Sequence, residues 1–177
     1  LAPLRATFTP FPHPAMHPGR CAAIEIDGQV VGVIGELHPR WRQQWELPSA
    51  PVLFELDLDA LQARDLPAAK PVPKHQAVER DIAVVVAESV THQALMAAID
   101  AAPTQGLLQH ATLFDIYRPQ LQGTGAAPGG LAAGEKSMAV RLVFNSDAGT
   151  LTDEQVEPAV RAVLEQLGQK LGARLRG

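Results

Sequence analysis

The chain has 177 residues, enough for one large domain or two small ones, and 46% of them are apolar, so a buried core is within reach. Its formal charge of −4 is evenly spread, which excludes nucleic-acid binding through bulk cationic attraction and leaves only a local patch for any RNA contact. Cys21 is the single cysteine, which excludes an internal disulfide and fits a reducing cytoplasm.

Residues 1–20 are rich in proline, and FTPFPHPAMHPGR reads as irregular structure laid on something else. In CAAIEIDGQVVGVIGEL, Ile24 and Ile26 alternate with polar residues, Asp27-Gly28 marks a tight turn, and Val31, Val33 and Ile34 resume an apolar run; this predicts a β-hairpin. HPRWRQQWEL (38–47) predicts a short helix with Trp41 and Trp45 on one side. VLFELDLDAL (52–61) alternates as a half-buried strand. This first segment is too short to close a sheet comfortably alone and reads as the end of a larger β-rich domain. DLPAAKPVPKHQ (65–76) reads as a linker.

Beyond it the pattern changes. RDIAVVV (80–86) predicts a strand; THQALMAAIDAAP (91–103) a helix with Thr91 as N-cap and Pro103 as stop; LLQHATLFDIY (107–117) a strand. The Gly/Ala/Pro-rich stretch 118–134 reads as a flexible loop, and KSMAVRLVFN (136–145) as a third strand. TDEQVEPAVRAVLEQLGQKLG (152–172) predicts a long helix opened by a Thr152/Gln155 capping box and shifted or bent, not broken, by Pro158. ARLRG (173–177) is a final short strand. The order βαββαβ is that of an α+β, ferredoxin-like antiparallel sheet with two helices on one face.

Strand alternation sorts the residues of that sheet. Ile82, Val84, Val86, Met138, Val140, Leu142, Phe144, Phe114, Ile116 and Leu175 suit the helix-covered side. Asp81, Ala83, Val85, Asp115, Tyr117, Ser137, Ala139, Arg141, Arg174 and Arg176 then face outward. Arginine beside phosphate or a base, a tyrosine π-face and small residues allowing close approach suit single-stranded RNA. Arg80 reads as well as a salt-bridged residue as an RNA-facing one, and Lys74 on the linker is a further phosphate candidate. The bland alternative is a solvated sheet face, since many functions share this fold.

Several blocks carry a family resemblance. HPGRCAAIEIDGQVVGVIGELHP (17–39) and FELDLDAL (54–61) resemble the run closing the catalytic-like module of bacterial phenylalanyl-tRNA synthetase β subunits. ERDIAVVV, LFDIYR, EKSMAVRLVF, TLTDEQV and GARLRG are similar, in order, to blocks of that family's ferredoxin-fold anticodon-binding domain. The resemblance implies three regions: 1–65, the last part of the class II synthetase-like core; 66–78, a linker; and 79–177, the anticodon-binding domain. It implies an α₂β₂ ligase that charges tRNA-Phe using ATP and Mg²⁺, with no catalytic residue and no cofactor in this piece. The implied partners are the tRNA-Phe anticodon stem-loop and the synthetase α subunit, with no membrane and no DNA. The RNA-binding residues expected are Lys74, Arg80, Tyr117, Ser137, Arg141, Arg174 and Arg176. Two departures stand out: Lys74-His75-Gln76 replaces a Lys-Phe-Pro-like segment, and loop 119–134 is longer than the family's usual turn. The chain lacks an initiator Met and reads as a fragment.

Other motifs are weaker. His13, His17, His38 and Cys21 can be drawn as a metal set, but Pro14 and Pro18 break regular structure around the first two histidines, and turn-fixing is the simpler role. TGAAPGGLAAGEKS lacks phosphate-loop spacing, because Glu135 precedes Lys136 and a strand follows. Asp57/Asp59 read as a strand's exposed face and Asp153/Glu154 as helix-start charges. Two competing functions are a small-ligand regulatory domain and an assembly element whose open face is buried by protein.

Overall fold

Asp27 and Gly28 both take positive φ, 51° and 78°, the backbone a two-residue hairpin turn needs. They close strand β2 (Met16–Ile26) onto β3 (Gln29–Leu37) in a computed structural model of the protein that describes residues 6–62, 74–119 and 131–176. The chain divides into two compact units, Leu1–Lys70 and Pro71–Gly177. The first holds an antiparallel sheet ordered β1-β2-β3-β4, with β1 at Ala6–Pro10 and β4 at Val52–Leu56.

The proline-rich start is therefore irregular only over residues 11–15; the described residues on either side are strand. Thr7 to Pro10 pair with β2, and the two prolines in strands sit where the ladder tolerates them, Pro10 at a strand end and Pro18 inside the register shift between Met16 and Cys21. Helix α1 (Pro39–Gln44) follows β3, and the Trp41 and Trp45 rings stack at 5.7 Å. Strand β4 stops earlier than expected. Asp57 Oδ1 accepts from the Asp59 and Ala60 amides at 2.9 and 3.1 Å and caps helix α2 (Leu58–Gln62). Nor is β4 half-buried: every residue of it is exposed, Phe54 at 68%. Gly32 on the neighbouring strand leaves no room for a side chain, since a Cβ there would lie 2.1 Å from the Glu55 carbonyl oxygen.

The second unit is β5 (Val78–Ala87), α3 (His92–Asp100), β6 (Leu108–Tyr117), β7 (Glu135–Phe144), α4 (Asp153–Leu171) and β8 (Arg174–Leu175). All pairings are antiparallel and the sheet order is β6-β7-β5-β8. This is the expected ferredoxin-like arrangement. Thr91 caps α3 through its hydroxyl at 3.1 Å, and the Thr152 amide donates to Gln155 Oε1 at 3.0 Å at the start of α4. Pro158 is the sixth residue of α4 and removes one backbone bond, the one to the Glu154 carbonyl, yet the helix runs on unbroken to Leu171. Ile82, Val84, Val86, Met138, Val140, Leu142 and Phe144 form the core with Leu95 and Ile99 of α3 and Val156, Val163 and Leu167 of α4. The linker 66–78 falls largely, and the loop 119–134 mostly, outside the described residues. Among the described residues no helix is long and apolar enough to cross a membrane.

In the second sheet one strand departs from simple alternation. In β6, Leu113 lies opposite Val140 and Asp115 lies opposite Ala139, so Phe114 is an extra residue in the ladder. Such a bulge flips the phase of the strand. Leu113, not Phe114, packs against the core, and Phe114 is turned out and 55% exposed. Ile116 keeps its place opposite Met138 but is only partly covered. Leu175 lies opposite buried Val84, yet it sits on a two-residue edge strand and is largely exposed.

Candidate nucleic-acid interface

Cross-strand partners share a face, so the register lists what the uncovered side of the second sheet presents. At one end the lateral row is Tyr117, Ser137, Val85 and Arg174. The next is Asp115, Ala139 and Ala83, with the Arg176 amide donating to the Ala83 carbonyl at 2.8 Å. Beyond lies Thr112, Arg141 and Asp81, and last His110, Val143 and Glu79. Arg141, Arg174 and Tyr117 therefore share the face that the helices leave open. Arg176 joins them, its guanidinium 4.9 Å from the centre of the Tyr117 ring.

That contact explains an unexpected burial. Tyr117 and Arg176 rise from the two edge strands, which stand three strand spacings or ~14 Å apart. Their side chains can meet only above the two middle strands. Val85 and Ser137 lie under that bridge and are 1% and 2% exposed although they face away from the helices. Ser137 is on the predicted face but offers no open surface while the bridge is closed. Val85, expected to be exposed, is not.

The arginines are held in place by acids. Arg141 donates from Nε and Nη2 to the two Asp81 carboxylate oxygens at 2.8 and 2.9 Å, and Glu79 stands 3.5 Å from Nη1. The hydrogen bonds from Arg141 hold the Asp81 carboxyl below its ordinary range, and Asp81 in return raises Arg141 above the usual guanidinium value. Arg174 donates to Glu135 Oε2 at 2.6 Å; Glu135, which also accepts the Ala132 amide at 2.8 Å, is lowered by that amide first and by Arg174. Arg118 donates to Glu88 at 2.8 Å and lowers it, while the Lys136 ammonium donates to the Glu88 carbonyl oxygen at 2.8 Å. Among the described residues no carboxylate pairs with Arg176. The Tyr117 end of the sheet thus carries Arg118, Arg174 and Arg176, with Glu88 and Glu135 pairing the first two, while Lys136, opposite Val86, is buried on the helix side. The other end holds Arg141 between two acids.

Arg80 is not part of this face. Its strand phase matches that of Ile82, opposite Leu142, and its guanidinium pairs with Asp153 at the start of α4. Its position two residues before Ile82 was the signal, since alternation alone puts it on the helix side. Lys74 is exposed where the described segment begins. One residue of the face went unnoticed in the sequence, Phe114, whose turn outward depends on the bulge; Arg118, just past the end of β6, pairs with Glu88 at that end of the sheet. The histidines of the imagined metal set serve local turns. His13, His17 and His38 accept through Nδ1 from the amides of Ala15, Gly19 and Arg40 at 3.3, 3.0 and 3.1 Å. Among the described residues no three His, Cys, Asp or Glu converge as a metal site.

A βαββαβ sheet with both helices on one side and an aromatic- and arginine-bearing surface on the other defines a ferredoxin-fold domain. The chain belongs to that family: residues 73–176 match the ferredoxin-fold anticodon binding domain, and residues 2–58 match the phenylalanyl tRNA synthetase beta chain CLM domain. Its curated relatives include the phenylalanine–tRNA ligase beta subunits of Burkholderia pseudomallei (strain 1710b), 48% identical over 180 residues, and of Ralstonia nicotianae, 47% identical over 180 residues. That of Aromatoleum aromaticum is 41% identical over 177 residues. These alignments take in 100%, 99% and 99% of this chain but 22%, 22% and 21% of the relatives, so the chain spans about a fifth of their length.

Proposed function

We propose that the open sheet face of residues 79–177 binds the anticodon stem-loop of tRNA-Phe, as part of a cytoplasmic phenylalanine–tRNA ligase β subunit. In that setting the chain positions tRNA for ATP- and Mg²⁺-dependent charging carried out with an α subunit in an α₂β₂ assembly. The piece itself supplies no catalytic residue; residues 1–65 complete the synthetase-like core and 66–78 connect it to the RNA-binding unit. The observation that carries the reading is the grouping of Tyr117, Arg176 and Arg174 on one uncovered face, with Arg118 at its edge. A π-face with cations beside it suits an unpaired loop, in which bases are splayed and phosphates lie near them. Of the other predicted contacts, Arg141 lies on the same face, Ser137 becomes available when Arg176 swings off Tyr117, and Lys74 precedes β5. Arg80 is retained only as a helix-side residue that anchors α4.

The test is a fluorescence-anisotropy titration of a labelled tRNA-Phe anticodon stem-loop against the 177-residue chain, beside a stem-loop of equal length with a scrambled loop. The expected result is tighter binding of the native loop by about tenfold, the ~1.4 kcal/mol within reach of one stacked base. Equal affinity for both loops, or for neither, overturns the proposal.

A further inference from the structure

We infer that Phe114 and Arg141 form a second base-stacking site on the open face, separate from the one at Tyr117; this rests on the RNA-binding reading above. The bulge in β6 inserts one residue and so turns a large aromatic ring outward that simple alternation would have buried. Phe114 stays 55% exposed, while Phe144, the aromatic residue in the core beneath the sheet, is fully buried. An exposed ring of this size forgoes burial free energy at every unoccupied moment, so a contact that covers it has a gain to collect.

The arrangement around the ring points to a neutral planar ligand and away from a phosphate. Arg141 lies over Phe114 with its guanidinium carbon 5.7 Å from the ring centre. The two-pronged hydrogen bond to Asp81 fixes the guanidinium plane, so little rotamer freedom remains to be lost on binding. Asp81 and Glu79 outnumber Arg141 locally and repel a phosphate. A nucleobase carries no such charge and stacks on either a guanidinium plane or a phenyl ring. The Tyr117 end has the opposite balance, so the phosphate backbone belongs there.

The spacing is right for one continuous single strand. Along β7, Ser137 in the Tyr117 row and Arg141 two rows further on are four residues apart, ~13 Å at the usual strand rise. Between them the middle of the face is floored by Ala83 and Ala139, which leave the surface low, with the Asp115 carboxylate at the β6 edge of that row. Four-stranded sheets that bind unpaired RNA stack two or three bases, and a face with an aromatic–arginine pair at each end accommodates that number.

The test places the fluorescent base 2-aminopurine at each loop position of the anticodon stem-loop in turn and reads its quenching on the 177-residue chain. Two separate positions are expected to be quenched. Phe114→Leu should relieve one and weaken binding by about 5- to 150-fold, the ~1–3 kcal/mol of one base–aromatic stack. Tyr117→Leu should relieve the other. A Phe114→Leu protein with the wild-type quenching pattern and an affinity within about twofold overturns the second site while leaving the Tyr117 reading intact. Absence of stem-loop binding by the unaltered chain overturns both. Thermal unfolding of Phe114→Leu, expected to match the parent because the ring is outside the core, separates lost contact from lost fold.

Discussion

The charge arrangement at the Tyr117 end makes salt dependence the most discriminating measurement, with Arg176→Ala as the perturbation. Arg118, Arg174 and Arg176 are the cations there that reach solvent, whereas Lys136 is buried against Glu88. If each of the three meets one phosphate, the slope of log K against log salt is about −2, from ~0.7 per phosphate of single-stranded RNA. Raising salt fourfold, from about 50 to about 200 mM, then weakens binding by about 20-fold. Removing Arg176 lowers the slope to about −1.4, and the same salt change costs only about 7-fold. Arg141→Ala should leave the slope where it was, because that arginine sits between Asp81 and Glu79 and faces a base. The assay is anisotropy of the labelled stem-loop at four salt concentrations. Equal slopes for the parent and Arg176→Ala, or a slope that falls only in Arg141→Ala, would refute the assignment of phosphate to the Tyr117 end.

Two further outcomes concern the scaffold. Phe144→Ala removes a fully buried ring between Val78 and Leu108 and should cost ~3–5 kcal/mol, lowering the midpoint of thermal unfolding of the second unit by about 12 °C or more; a loss under about 4 °C would show that the core closes differently. Acid should destabilise the same unit. Asp81, Glu88 and Glu135 have folded-state pKa values depressed below their ordinary 3.8, 4.5 and 4.5, so the unfolded chain takes up protons first as pH falls. Their contribution is full above pH ~4.5 and is lost as pH falls through the depressed values. Thermal melts across this range should show a shallower acid limb in an Asp81→Asn/Glu135→Gln double variant, and an unchanged limb would remove these pairs from the account.

The sheet's two faces were legible in the sequence wherever the strand kept its phase. Ile82, Val84 and Val86, with Met138, Val140, Leu142 and Phe144, are apolar at every second position, and all seven are buried; Val85 and Ser137 break the period by being buried on the other face. In LFDIY the pattern fits either phase, because Leu113 and Phe114 are adjacent and both apolar. Only pairing with β7 decides which one turns inward. The proline-rich start misled for a related reason: proline forbids ladder donation at particular atoms, not strand conformation, and edge and bulge positions satisfy it. Arg80 was readable from its phase and its true partner was not, since Asp153 lies 73 residues away. The acid partners that hold Arg141 and Arg174 were equally invisible, because Asp81 meets Arg141 only through the β5–β7 register and Glu135 reaches Arg174 across the intervening β5, and neither leaves a mark in one strand alone.

Strand β4 has a consequence for handling the isolated chain. It is the outermost strand of its sheet, it is short, and Val52, Phe54, Leu56 and, one turn on, Leu58 all meet solvent. Among the described residues no strand pairs with its outer edge, and that edge and its apolar side chains together form a template to which another copy can add. At the concentrations used for crystallisation or magnetic resonance the material should self-associate through this border, and a lysine placed at Phe54 is the simplest way to keep it in solution.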